Sequence, residues 1–182
     1  MTVADRGRWD VRHSASADAV PQPPVALDFH EELVPTEGRA LDVACGRGNT
    51  AVWLALRGLT VDAVDISSIG LTAGKVLSES YEVADRARFI ECDLDAGLPD
   101  ADPFELVVCQ RFRMPDLYPS LASAVAPGGL LVVTVLSEVG GIPGPFAAPA
   151  GELLVAFTGL GLEILVDLEA NGKAHLVARR CR

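Results

Sequence analysis

From residue 40 onward, apolar positions come in strand-length bursts separated by longer, helix-length segments. Residues 40–45, 60–65, 88–92, 105–109 and 130–136 are short runs dominated by Val, Ile, Leu, Ala and Phe, the size and composition of buried strands. Residues 50–57, 67–83 and 116–126 lie between them and read as helices, while 95–103 is a turn-rich link. Strands joined by crossover helices make a parallel sheet covered on both faces, and right-handed crossovers make it doubly wound. The tail departs from this rhythm. Residues 151–159 suit a helix, and 162–168 and 173–179 are strand-like runs joined only by Glu169-Ala170-Asn171-Gly172. So short a connection, ending in Asn-Gly, joins antiparallel neighbours. The expected fold is therefore α/β: a doubly wound, mostly parallel seven-stranded sheet with an antiparallel last strand and helices on both faces.

Ahead of the sheet, Leu27, Phe29, Leu33 and Val34 suit a short amphipathic helix over 25–34 that stops before Pro35. Residues 1–20 are polar. They read either as a frayed terminus or, through Trp9, Arg12 and His13, as a segment folding over a ligand. The whole is expected to be one domain, with 1–36 as a covering segment and 37–182 as the core.

Composition narrows the function. At 182 residues and 49% hydrophobic, the chain is long enough for one sizeable core, yet no apolar run approaches the ~20 residues of a membrane span. Residues 1–20 carry charges of both signs and no apolar signal region, so a cytoplasmic location is expected, with no membrane partner. A formal charge of −10 without a basic stripe disfavours nucleic acid. Cys45, Cys92, Cys109 and Cys181 have no ligand spacing, so no metal and no disulfide framework is expected. A monomer or homodimer acting on a small molecule remains.

The chemistry gathers at strand ends, where ligands bind in open α/β sheets. The first strand breaks into Cys45-Gly46-Arg47-Gly48, whose glycines permit close backbone approach. The second ends on Asp65, 17 residues after Gly48 and suited to a ribose diol; the third ends on Asp93-Leu94, suited to a base. Gly46-Arg47-Gly48-Asn49-Thr50-Ala51 also satisfies G-x-G-x-x-A, which would serve NAD. Asp42 tips the balance. A carboxylate inside an apolar strand needs a partner, either the turn's own N–H groups or a cationic ligand, and it suits a pyrophosphate poorly.

Leu41-Asp42-Val43-Ala44-Cys45-Gly46-Arg47-Gly48 resembles motif I of the class I S-adenosylmethionine-dependent methyltransferases. Val64-Asp65-Ile66-Ser67 stands in the place of their acidic second motif, and Ala126-Pro127-Gly128-Gly129 resembles the lead-in to their fifth strand. Within that superfamily, residues 63–71, Leu117-Tyr118-Pro119 and the N-terminal Trp9-Asp10 resemble the tellurite-resistance and thiopurine methyltransferase branch. The resemblance implies S-adenosylmethionine as cofactor and S-adenosylhomocysteine as product. It implies that Ala44, Cys45, Gly46 and Gly48 line the methionine moiety, with Asp42 supporting the turn. It further implies Asp65 on the ribose, Ile66, Asp93 and Leu94 around the adenine, and Cys109 and Gln110 beside the sulfonium. Ala44 departs from the family's usual glycine and narrows the cradle. No catalytic base is identified; Arg111 and His13 are the candidates, while His175, in an alternating strand, reads as structural. The glycine- and proline-rich stretch 139–146 reads as a lid. An NAD-dependent oxidoreductase and a non-catalytic scaffold of the same fold stay open as alternatives.

Overall fold

The computed structural model describes residues 3–14, 20–28 and 30–182. The chain resolves into two compact units, one spanning residues 1–23 and 35–100 and the other residues 24–34 and 101–182.

In the first unit, β1 (Arg39–Val43), β2 (Thr60–Asp65) and β3 (Ala87–Glu91) pair in parallel, β2 in the middle. The central strand is buried from Val61 to Asp65, as its apolar run demands. Asp62 within it is neutralised by Arg39 and Arg88, at 3.4 and 2.9 Å. Helix α2 (Asn49–Leu56) starts from Gly48 in the left-handed conformation, and α3 (Ser68–Ser80) is capped by the Ser67 hydroxyl, which accepts from the Gly70 N–H. An additional helix, α1 (Val3–Ser14), packs on α3. The polar N-terminal sequence thus folds from residue 3 to 14, while residues 15–19 lie outside the described residues. A cavity of about 670 Å³ opens at the starts of these three strands, bordered by Arg39, Asp62, Lys75 and Arg88. Arg39 and Arg88 are engaged on Asp62, and the chemistry-bearing strand ends lie at the other edge.

In the second unit, β4 (Phe104–Gln110) pairs in parallel with β5 (Val125–Ser137), and β5 pairs antiparallel with β8 (Lys173–Arg180). Strand β7 (Leu162–Ala170) runs antiparallel to β8, so β8 alone opposes the other strands of its unit, as the short connection required. Asn171 and Gly172 both take positive φ, 52° and 75°, the backbone that an Asn-Gly hairpin supplies. Helices α4 (Tyr118–Ser123) and α5 (Glu152–Phe157) complete the unit.

Three elements differ from the sequence reading. The helix expected over 25–34 is two 3₁₀ turns, Val25–Leu27 and Glu31–Leu33, entered from the extended Pro24. Ala26 and Leu27 are buried, so the apolar side chains are used, but over single turns. Phe29 of that pattern lies outside the described residues. Strand β5 begins at Val125, because the ladder to β4 carries on through Pro127-Gly128-Gly129 across a register shift between Phe104 and Leu106, where Gly128 takes φ 81°. An eighth short strand, β6 (Ala147–Ala148), pairs in parallel with the end of β5.

Candidate functional site

The end of β1 and the turn after it carry the densest polar geometry of the first unit. Ala44, Gly46 and Gly48 all take positive φ, at 55°, 56° and 75°. Glycine reaches this region freely, whereas at Ala44 an L-residue occupies it at a cost of roughly 1–2 kcal/mol. The turn is closed by the Cys45 N–H donating to Val64 O and the Gly48 N–H donating to Cys45 O, both at 3.0 Å. At Gly48, a Cβ would stand 2.6 Å from Phe89 Cε1 and 3.0 Å from Gly74 Cα. Only a residue without a side chain lets α2 leave the strand here.

Asp42 lies beneath this turn, 2% exposed. The Ala51 N–H in the first turn of α2 supports its carboxylate, but Oδ2 has no partner among the described residues. Burial, and secondarily the charge of Asp65, push its carboxyl up to about 8. A buried acid with one oxygen unpaired beneath a left-handed turn is costly, and it marks this turn as the polar focus of the first unit. Asp65 is placed by the end of β2: Oδ2 accepts from the Gly46 N–H and Oδ1 from the Ser67 N–H, both at 2.8 Å. Its carboxylate braces the turn and retains lone pairs for further donors.

Helix α1 covers this region, which the sequence reading left undecided. The His13 ring lies against Gly46, its Cε1 3.1 Å from where a Cβ would stand. Its backbone carbonyl accepts from Arg47 Nη1 at 2.6 Å. Burial lowers the His13 imidazole, Asp65 opposing and Arg47 and Arg12 adding to the effect, with Asp10 also opposing. Asp10, which sequence reasoning missed, accepts from the Ser67 hydroxyl and, at 3.4 Å, from the Ile69 N–H, so a carboxylate from α1 sits at the start of α3. Trp9 stacks on His13 at 6.0 Å and carries Arg12 on its ring at 5.3 Å. The adjacent Trp9-Asp10 pair was the available signal.

The residues expected around the adenine are placed unequally. Ile66 and Leu94 are buried, at 3% and 1%, and present little free surface. Asp93 is exposed at the head of a 3₁₀ turn, its carboxylate accepting from the Asp95 N–H.

In the second unit, β4 delivers Cys109 and Gln110. Cys109 is buried with its thiol 3.6 Å from Phe112 O, and Gln110 Oε1 accepts from the Val25 N–H at 3.1 Å. Arg111 follows with φ 57°, a left-handed non-glycine residue whose N–H donates to Thr134 O. Stretch 139–146 is tied down on both sides. Val139 bonds to Ser137 Oγ and to the Gly172 N–H, and Arg113 Nη1 donates to Pro145 O. Arg113 also pairs with Glu152, to which the Tyr118 hydroxyl donates at 3.0 Å. Only the tip is free of such ties, with Ile142 89% exposed. Among the described residues no cluster of His, Cys, Asp or Glu could hold a metal ion, and no helix is long and apolar enough to cross a membrane.

A methyltransferase-domain family model matches residues 40–129, from β1 through the start of β5. The ubiquinone biosynthesis O-methyltransferase of Marinobacter nauticus is 31% identical over 123 residues, 63% of this chain and 51% of that protein. The glycine N-methyltransferase of Rattus norvegicus is 30% identical over 163 residues, 76% of this chain and 54% of that one. The chain thus spans about half the length of these curated relatives. TehB from Haemophilus influenzae superposes with a TM-score of 0.72 over 85% of this chain and 61% of its own, at 18% identity, a likeness of fold. The turn, Asp42, Asp65 and Asp93 all fall inside the matched span, whereas α1 and the hairpin β7–β8 fall outside it.

Proposed function

Because this chain belongs to the class I S-adenosylmethionine-dependent methyltransferases, we propose that it methylates a small-molecule acceptor from S-adenosylmethionine. The observation that carries the reading is the orphaned Oδ2 of Asp42 beneath the left-handed turn. A pyrophosphate there would meet a buried acid and a second carboxylate, Asp65, which favours a cationic donor over NAD.

Asp42 holds the ammonium group, and the Ala44–Gly48 backbone shapes the wall along the methionine chain. Asp65 accepts from the ribose hydroxyls while keeping its bonds to the turn. Asp93 takes the adenine amine, and Ile66 and Leu94 supply the edge of an already packed apolar wall. Cys109 and Gln110 end β4 and Arg111 follows them; the resemblance assigns the sulfonium to the first two, and Arg111 is the candidate for the acceptor. The bound donor supplies an activated methyl group, so the residues' task is alignment and exclusion of water. Helix α1, through Asp10 and His13, shields the turn from solvent.

A small acceptor suits a chain with no long insertion between its core elements. The relatives named for ubiquinone biosynthesis and glycine methylation support that class. Calorimetry with S-adenosylhomocysteine tests the reading: binding to the wild type and its loss in Asp65→Ala are expected. No heat of binding at millimolar ligand would overturn it.

A further inference from the structure

The cavity at the starts of β1, β2 and β3 takes no part in the donor site. It lies wholly within the first unit, and its volume of about 670 Å³ is that of a small-molecule site. Four cations border it: Arg39 at the start of β1, Lys75 on α3, Arg86 in the turn before β3 and Arg88 within β3. They face three acids, Asp62, Glu79 and Asp85, a local excess of positive charge in a chain whose formal charge is −10.

The cations fall into two pairs. Arg39 and Arg88 are fixed by Asp62, which is 8% exposed within β2. Arg88 Nε donates to Oδ1 and Nη2 to Oδ2, both at 2.9 Å, and Arg39 Nη2 donates to Oδ2 at 3.4 Å. One guanidinium neutralises a carboxylate; two leave a surplus charge on a rigid frame. The fork occupies one edge of Arg88 and leaves Nη1 for a further acceptor, on a side chain 67% exposed. The side chains of Lys75 and Arg86 have neither an ion pair nor a hydrogen bond among the described residues. The backbone of Arg86 is nonetheless held: its N–H donates to Val83 O at 3.0 Å, and its carbonyl accepts from the Val61 N–H at 2.7 Å. Cations gathered at one opening repel one another, and an anion between them removes that cost.

We infer that this cavity binds a phosphate monoester of a polyol. A tetrahedral dianion accepts from several directions at once, which suits Lys75, Arg86 and Arg88 arriving from separate stretches of chain; a flat carboxylate is satisfied by a single guanidinium fork. Glu79 and Asp85 border the same opening, their carboxylates without partners among the described residues. They repel a bare anion and accept from the hydroxyl groups of an ester, so the lining selects the ester over phosphate itself. The assignment is independent of the methyl-transfer reading, because none of these residues belongs to the donor turn.

The test is ¹H–¹⁵N NMR of the full chain titrated with glucose 6-phosphate above its second pKa of about 6, beside glucose and inorganic phosphate. Saturable shifts at the Arg86 and Arg88 amides and at the Arg88 Nε–H are expected, with a Kd of about 1 mM or tighter. Inorganic phosphate should bind more weakly and glucose not at all. Arg86→Ala and Lys75→Ala delete side chains that hold no fold contact, and each should weaken glucose 6-phosphate about tenfold, as loss of a charged donor does. The same spectra confirm the fold of each variant. Arg182→Ala, which removes one charge near none of these elements in sequence, should leave the affinity unchanged. Glu79→Gln should narrow the preference for the ester over inorganic phosphate. No saturable shift up to about 10 mM probe, equal affinity for the ester and inorganic phosphate, or equal losses in Arg182→Ala and Arg86→Ala would overturn the inference.

Discussion

Replacing Asp42 by Asn removes the one buried acid, among the described residues, whose second oxygen is unsatisfied. The carboxyl is raised from 3.8 to about 8 by burial first and Asp65 second. The interval, at about 1.4 kcal/mol per pH unit, corresponds to at most on the order of 6 kcal/mol of penalty on the charged form. Below pH 4 the acid is protonated folded and unfolded, so no penalty applies. Between pH 4 and 8 the unfolded chain ionises it and the folded chain does not. Stability conferred by the neutral form is therefore complete at the acid end and lost as pH rises through 8. A cationic ligand reverses the preference. At pH 7 about nine-tenths of Asp42 is protonated, so seating an ammonium group on it should release close to one proton. Calorimetry of S-adenosylhomocysteine in buffers of different ionisation enthalpy reads that number directly. The wild type should release 0.7 to 1 proton (~0.9 expected) at pH 7 and bind up to about tenfold more tightly per pH unit up to 8. Asp42→Asn should release none, bind with no such pH dependence and lose less stability than the wild type from pH 6 to 9. Intact wild-type binding with a proton count near zero would refute the reasoning.

Three further outcomes follow from the same geometry. Gly48→Ala forces a Cβ to 2.6 Å from Phe89 at φ 75° and should lower stability by about 2–4 kcal/mol in urea titration; a loss below 1 would show the turn to be compliant. Ala44→Gly removes the strain of φ 55° and should stabilise by about 1 kcal/mol net of chain entropy, which thermal unfolding can read; destabilisation would mean that the methyl is packed. Glu152, held below its usual range chiefly by its hydrogen bonds to Arg113, contributes stability that is present above its unfolded pKa and lost as pH falls. The gap between wild type and Glu152→Gln should therefore shrink below about pH 4.5, and a gap independent of pH would remove the ion pair from the account.

Much of the geometry of the candidate site was legible because its constraints are local. Positive φ at Gly46 and Gly48 is a property of the turn itself, and Asp65 and Asp93 follow from where apolar strands stop. Ala44 was read as a slightly narrowed cradle; the structure makes it a strained one, because φ is invisible in a residue name. The lid expected at 139–146 is tied at both ends through Gly172 and Arg113, contacts between residues more than 30 positions apart. The N-terminal segment was ambiguous because its mean polarity hides a helix whose anchors, Asp10 on Ser67 and His13 on Gly46, lie on another element.

The sequence by itself determined the alternation of strands and helices, the reversal of the last strand and the acid beneath the glycine turn. Periodicity, turn chemistry and the cost of a buried charge act within a few residues of chain. Only the tertiary structure decided which oxygen of Asp42 stays unpaired, that α1 docks on the turn, and that Arg39, Lys75, Arg86 and Arg88 border one cavity. Each depends on register and packing between segments that are distant in the chain, where a shift of one residue would turn every side chain to the other face.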